Sequence, residues 1–117
     1  MNFINPINVD ALISQAEEEH LYFKLIEQVN KDFALANESL DVPVSILPFE
    51  FKNLVQEKIY KLIQYKFGEY LNLLYIIDVS EEQIKKLDGS DLVELSEQVA
   101  FLVLKREWQK VWFRNKF

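Results

Sequence analysis

The sequence predicts an all-α fold, a compact bundle of about four helices of which two or three are long and one is short. The chain of 117 residues contains only 2 Gly and 3 Pro, too few for the turns of a β-sandwich or barrel. Half of its residues are hydrophobic, which suits one core and excludes a disordered chain. Because the length also corresponds to one ordinary domain, we expect residues 1–117 to form a single helical domain.

The first long helix is predicted from about Val9 to Ala36, where apolar residues recur at helical spacing. The connection over residues 37–47 is polar and contains Pro43. This composition is typical of a loop, and it allows a short extended segment over residues 42–47.

The second long helix is predicted from Pro48 to Ile77, since proline suits the first turn of a helix and the apolar pattern continues from there. After Gly68 this helix is apolar on nearly every side, which predicts burial on nearly every side. A buried strand over residues 71–77 is the weaker alternative, because the leucine-rich run continues the helical register.

A short helix is predicted after Ser80, which is followed by glutamine three positions later in a capping-box pattern. Gly89 is placed to end this helix in the left-handed conformation. Ser90 or Asp91 then caps a last helix that extends to about Arg114.

The last helix carries two apolar faces instead of one when its residues are placed at intervals of about 100°. One face suits the core of the chain. The second face would be either the inner side of a central helix or the interface of a homodimer, because so large an aromatic patch is uncommon on the surface of a monomer. The predicted interface residues are Phe101, Leu104, Trp108, Val111 and Trp112.

The C-terminal end of this helix, residues 105–117, is basic and aromatic. It has a formal charge of +4 in a chain of −6, so residues 1–104 carry −10. An acidic protein partner suits this segment, whereas the acidic remainder repels membranes and nucleic acid, and nucleic acid is not an expected partner. Alternatively, the segment folds back on the acidic body near residues 17–19. The candidate anion- or partner-binding residues are Lys105, Arg106, Lys110 and Arg114.

The single histidine stands in a spacing that metal sites use. Glu17 and His20 form the E-x-x-H pattern of di-iron helical bundles, and Glu69 offers a further carboxylate. Such a site needs two copies of the motif, which a homodimer could supply, but the helical wheel turns Glu17 and His20 to the polar side. We therefore assign no metal site and retain these three residues as secondary candidates.

Four polar residues intrude on the apolar sides of the predicted long helices. They are Glu19 and Asn30 on the first helix and Lys66 and Glu69 on the second. A buried charge requires a partner. We therefore expect ion pairs at the rim of the core, Glu69 with Lys66 or Glu19 with a lysine, or else a bent helix on which the wheel positions drift.

No motif identifies an enzyme, and no cofactor is implied. The absence of cysteine excludes disulfides, thiolate nucleophiles and Cys-ligated zinc. The N-terminus lacks a signal-peptide pattern, and no apolar stretch approaches the roughly 20 residues that cross a bilayer, so a cytoplasmic location is expected. We expect a non-enzymatic protein–protein interaction or scaffold domain that self-associates. The alternatives are a metal-binding or carboxylate-based helical-bundle enzyme and a binder of anionic surfaces.

Overall fold

The computed structural model describes residues 2–116, and all regular secondary structure within them is helical. Six helices follow one another: α1 (Val9–Glu18), α2 (Tyr22–Leu35), α3 (Pro48–Tyr65), α4 (Phe67–Ile77), α5 (Glu81–Lys85) and α6 (Leu92–Lys116). The predicted all-α fold is confirmed. The predicted count of about four helices is too low, because each of the first two long helices is divided in two.

The first predicted helix is interrupted at His20, between α1 and α2. His20 has a φ of 59°, in the left-handed region. Its N–H donates to the carbonyl of Glu17 at 3.0 Å, and the N–H of Leu21 donates to the carbonyl of Ala16 at 2.8 Å. These two bonds form a Schellman motif, which ends a helix and turns the chain. Histidine adopts the left-handed conformation more readily than most residues, so a helix can end here without glycine.

The same type of turn ends α2 at Asn37 and α4 at Asp78, whose φ values are 59° and 70°. In both turns the next N–H donates to the carbonyl five residues before it. Gly89 has no positive φ, so the prediction that it ends the short helix in the left-handed conformation is wrong. Helix α5 already ends at Lys85.

The second predicted helix is bent at Lys66, where φ is −140° and ψ is 61°. A straight helix over residues 48–77 would be about 45 Å long, whereas the longest dimension of the molecule is 37 Å. The bend brings α4 against α2 and α6. The ammonium group of Lys66 lies 3.3 Å from the carboxylate of Glu38, which is buried at the end of α2.

Two predicted helix starts are confirmed by their capping bonds. Ser80 Oγ accepts the N–H of Gln83 at 3.4 Å, and Asp91 Oδ1 accepts the N–H of Glu94 at 3.1 Å. Helix α6 continues two residues beyond the predicted end, to Lys116.

The connection between α2 and α3 contains no strand, and α2 holds it in place. Asn30 donates its side-chain amide to the carbonyl of Val42 at 2.8 Å and accepts the N–H of the same residue at 2.9 Å. Tyr22 donates its hydroxyl to the carbonyl of Ile46 at 2.8 Å. The extended segment predicted over residues 42–47 is not formed, because the chain turns at residues 44–45 and the N–H of Ile46 donates to the carbonyl of Pro43 at 3.0 Å. The bonds from α2 hold this turn, which explains why Asn30 lies on the apolar side of the helix.

Helix α6 is the central element and packs against α1, α2, α3 and α4. Its direction is opposite to that of α2, since Lys110 contacts Asp32 while Arg114 contacts Gln28. Buried side chains from these helices form one hydrophobic cluster around it. This central position decides the environment of every candidate residue on α6.

Candidate functional site

The second apolar face of α6 lies inside the molecule. Four of the five predicted interface residues are at most 5% exposed: Leu104, Trp108, Val111 and Trp112. Phe101 is half-buried. The indole N–H of Trp108 donates to Gln15 Oε1 on α1 at 3.1 Å. Helices of the same chain cover this face, so the interpretation as an internal face of a central helix replaces the predicted homodimer interface.

The basic end of α6 folds back on acidic and polar groups of the body. Arg106 pairs with Asp78 at 3.1 Å, and Lys110 pairs with Asp32 at 2.9 Å. Lys105 lies 5.9 Å from the centre of the Phe101 ring. These three cations, predicted to bind an external anion or partner, therefore have neighbours within the chain. The fourth candidate, Arg114, lies at the surface and is treated below.

The two predicted ion pairs at the rim of the core have different outcomes. Glu19 pairs with Lys116, which confirms both a lysine partner for Glu19 and the return of the basic end to residues 17–19. Lys66 pairs with Glu38 instead of Glu69, and Glu69 is exposed on α4. The bend at Lys66 is the reason, because it removes the helical register that placed these two side chains together.

The secondary metal candidates are not assembled into a site. Glu17 and His20 are exposed, and His20 lies in the turn after α1 instead of on the helix. Glu69 is exposed on α4. Within residues 2–116, no group of three or more His, Asp or Glu side chains is placed to hold a metal ion. The E-x-x-H pattern needs a continuous helix to direct both side chains to one ion, and this helix ends before the histidine.

A buried acidic pair joins α2 to α6. Asp32 is 5% exposed and Glu107 is fully buried. The ammonium group of Lys110 lies 2.9 Å from Asp32 Oδ2 and 3.0 Å from Glu107 Oε1. Gln28 donates its side-chain amide to Asp32 Oδ2 at 3.0 Å. We refer to Gln28, Asp32, Glu107 and Lys110 as the α2–α6 polar cluster.

Glu107 holds a proton at neutral pH. Burial, together with the hydrogen bond to Asp32, raises the pKa of Glu107 to about 9, although Lys110 opposes the increase. Burial would also raise the pKa of Asp32, but hydrogen bonds with Glu107, Lys110 and Gln28 outweigh it and lower that pKa. The ionised Asp32 therefore balances Lys110, and Glu107 is neutral beside them.

The α2–α6 polar cluster resembles a general acid chemically but cannot serve as one. A neutral carboxyl group beside a carboxylate can transfer a proton only to a group within hydrogen-bond reach. Glu107 is fully buried, and both of its oxygens are enclosed. The cluster instead fixes the register of α2 against α6, because sliding either helix would leave buried charges without partners.

The sequence contains a signal for this cluster. Glu107 falls between the two apolar faces of the last helix, in a position that suggests an exposed polar arc. When both neighbouring faces are covered, a residue between them is covered as well. Two buried faces on one helix therefore predict a buried polar residue that needs a partner.

Helix α4 presents an apolar face to solvent. The residues that meet the core are Tyr70, Leu73, Leu74 and Ile77. On the other side, Phe67, Leu71 and Tyr75 are 55%, 51% and 84% exposed and recur at every fourth position. We refer to these three residues as the α4 stripe. The prediction that this segment is buried on nearly every side is wrong, because the bundle covers only one side of it.

Gly68 lies next to the α4 stripe and is not required by the packing of the chain. A Cβ atom at this position would have no described atom within 4 Å, and the φ of Gly68 is not positive. Glycine in the middle of a helix costs about 0.5–1 kcal/mol relative to alanine, and Gly68 lies in the first turn of α4. Gly68 therefore destabilises α4 at a position beside the α4 stripe where a larger side chain would fit.

No family model, curated protein or solved structure matches this chain. In the part of the chain that the structure describes, no helix has both the length and the apolar character needed to span a membrane. The functional proposal is therefore based on the exposed α4 stripe described above.

Proposed function

We propose that this protein is a non-enzymatic interaction domain that self-associates through α4. In this proposal, a second copy of the chain covers the α4 stripe, and the two α4 helices pack antiparallel about a twofold axis. The observation that carries the proposal is the exposed stripe of Phe67, Leu71 and Tyr75. It lies beside Gly68, a position where the packing of the chain does not require glycine. It replaces the face of α6 as the contact surface.

The spacing of the stripe suits a twofold pair. Phe67 and Tyr75 are eight residues apart, about 12 Å along the helix. If the axis passes near Leu71, the Leu71 side chains of the two copies meet each other. Tyr75 of each copy then lies over Phe67 and Gly68 of the other. The missing Cβ of Gly68 leaves space for the tyrosine ring.

The charges at the ends of α4 are complementary in the same arrangement. Lys66, which pairs with Glu38, stands at the N-terminal end with its side chain 58% exposed. Asp78, which pairs with Arg106, stands at the C-terminal end with its side chain 80% exposed. An antiparallel pair places Lys66 of one copy near Asp78 of the other, and it also aligns the two helix dipoles favourably. A second copy is therefore a better match for this surface than a uniformly charged partner.

The small size of the stripe indicates reversible association. An exposed apolar patch of a few hundred Å² is smaller than the roughly 800 Å² per partner of a standard stable interface. We therefore expect a dimer with a Kd on the order of tens of micromolar.

The Leu71→Lys variant tests the contact surface directly. A lysine near the twofold axis would face a lysine of the other copy, so we expect the Kd for self-association to rise at least about tenfold. Sedimentation equilibrium over a wide concentration range measures this change. Because Leu71 is half exposed, the free energy of unfolding of the monomer should change by no more than about 0.5 kcal/mol.

Leu54→Lys is the matched control, because Leu54 is an exposed leucine on α3, 40% accessible and outside the stripe. It should leave the Kd unchanged. Equal effects of Leu71→Lys and Leu54→Lys, or a wild-type chain that stays monomeric at millimolar concentration, would reject α4 as the contact surface.

Gly68→Ala should change folding and association in opposite directions. Alanine favours the helix, and because Gly68 lies in the first turn of α4 the monomer should gain up to about 0.5 kcal/mol in free energy of unfolding. The added methyl group would occupy the space proposed for Tyr75 of the other copy, so the Kd should rise about tenfold. Chemical denaturation below the Kd and sedimentation above it separate the two effects. A gain in stability with an unchanged Kd would show that Gly68 lies outside the contact.

A further inference from the structure

We propose that the groove between α2 and α6 is a binding site for a phosphate group, either free or carried by a small molecule. The cationic residues of the site are Lys24 and Lys31 of α2 and Arg114 of α6. This proposal does not depend on self-association through α4. It involves a different face, and only Arg114 was among the residues that the sequence analysis selected for anion binding.

The groove is a defined pocket between two antiparallel helices. Its volume is about 160 Å³, and α2 lines it with residues one and two turns apart: Lys24, Gln28 and Lys31. Helix α6 contributes Arg114 together with Val111. The pocket is therefore large enough for a tetrahedral oxyanion and is built on helices that pack firmly against each other.

The charge of the pocket is opposite to that of the chain. Three cationic residues line it against one acidic residue, Glu27, whereas acidic residues outnumber basic ones by 19 to 13 in the whole sequence. Neither Lys24 nor Lys31 forms an ion pair with any other residue of the described region. In a chain with a surplus of carboxylates, two lysines of one groove that form no ion pair, even with Glu27 between them, leave their charge available to an external anion.

Arg114 is held in position before any ligand binds. Its guanidinium donates to Gln28 Oε1 at 2.9 Å, and Gln28 in turn donates to Asp32 Oδ2 at 3.0 Å. Gln28 and Asp32 are each only 5% exposed, so this support is fixed by the core. A guanidinium group has five N–H donors in a rigid plane, and one of these bonds leaves the others for a ligand. The ordering cost of binding is thereby reduced.

The arrangement favours phosphate over other anions. An arginine plane binds two oxygens of a phosphate at once, and two lysines add compact positive charges to the remaining oxygens. A dianionic phosphate gains more from three cations than a carboxylate with a single charge. A polyanion would bring its other charges close to the acidic body of the chain, so a small ligand suits the site better than a nucleic acid or a membrane surface.

Titration of the purified full chain with inorganic phosphate at pH 7.5 and low ionic strength tests the proposal. Calorimetry and amide chemical shifts should report one site with a Kd on the order of 1 mM, with shifts concentrated on α2 and the C-terminal part of α6. Lys31→Gln and Arg114→Gln should each weaken binding about tenfold, and added NaCl should weaken it further. Glu27→Gln should strengthen binding several-fold, because it removes the one carboxylate that repels the ligand.

Lys86→Gln is the matched control, since Lys86 is exposed beyond α5 and outside the pocket. Its effect on binding should be absent. Glycerol 3-phosphate forms the second arm of the titration. Tighter binding of the ester than of inorganic phosphate assigns the ligand to phosphate monoesters, and equal binding assigns it to the free ion.

Three outcomes would overturn the proposal. The first is the absence of saturable binding of either probe up to about 20 mM. The second is equal weakening of phosphate binding by Lys86→Gln and Lys31→Gln. The third is binding of acetate as tight as that of phosphate at matched ionic strength. Circular dichroism of each variant verifies folding. The Glu27→Gln variant keeps the test decisive even if a charge removal on α6 disturbs the helix, because its expected effect is a gain.

Discussion

Replacing Trp108 with alanine is expected to lower the free energy of unfolding by about 3–5 kcal/mol. The side chain is fully buried at the centre of the bundle, and its indole N–H donates to Gln15 on α1. The substitution removes the largest fully buried side chain and leaves the Gln15 oxygen without that donor. Chemical denaturation followed by circular dichroism measures the loss.

The concentration dependence of this loss distinguishes core from interface. Trp108 packs inside one chain. The difference in free energy of unfolding between wild type and Trp108→Ala should therefore be the same at two protein concentrations fiftyfold apart, on the order of 1 and 50 µM. Phe101→Ala, at a half-buried position of the same helix, should cost only about 1–2 kcal/mol. A Trp108→Ala variant that folds stably as a monomer and has lost only self-association would restore the face of α6 as the interface.

Replacing Glu107 with glutamine is expected to stabilise the protein at alkaline pH. The unfolded glutamate has a pKa of 4.5, and the folded one has a pKa of about 9. Between these two values the folded state binds the proton that the unfolded state has released, so the free energy of unfolding falls as pH rises. Glutamine is neutral in both states and retains a donor for Asp32. We therefore expect Glu107→Gln to gain about 4 kcal/mol at pH 8 and to match wild type to within about 0.5 kcal/mol near pH 4.5.

Glu97→Gln provides the control, because Glu97 lies on the same helix and is exposed. Unfolding curves of the three proteins from pH 4.5 to 9 should show a divergence that grows with pH for Glu107→Gln alone. A stability difference that does not change with pH would show that Glu107 is ionised in the folded state. A loss of stability at pH 8 would show that its carboxylate contributes to the pairing with Lys110.

The helical fold and several helix ends could be predicted from the sequence because they depend on neighbours along the chain. Pro48 begins α3, Ser80 and Asp91 cap α5 and α6, and Ile77 ends α4. The interruptions at His20 and Lys66 were not predicted. Neither residue is a strong helix breaker, and each turn is stable only because the helices that follow it pack against the rest of the bundle.

The candidate sites were predicted less well for a related reason. The apolar pattern of α6 identified two faces that require cover, but it did not distinguish a helix of the same chain from a second chain. The same pattern suggested burial for α4, where the bundle covers only one side and leaves Leu71 and Tyr75 exposed. The partners of charged residues were also misassigned, as with Lys66, since they lie on helices distant in sequence.

By itself, the sequence determined that this chain is helical and where most helices begin. It also determined that some helices carry more hydrophobic residues than one core-facing side can hold. Only the tertiary structure decided where these additional hydrophobic residues lie: the second apolar face of α6 is inside the bundle, and the α4 stripe faces solvent. It also placed Asp32 beside Glu107, and it placed Lys24 and Lys31 in the same groove as Arg114. Helix formation follows from local hydrogen bonding and periodicity, whereas burial and charge pairing depend on which helices meet, and that is set by the whole core at once.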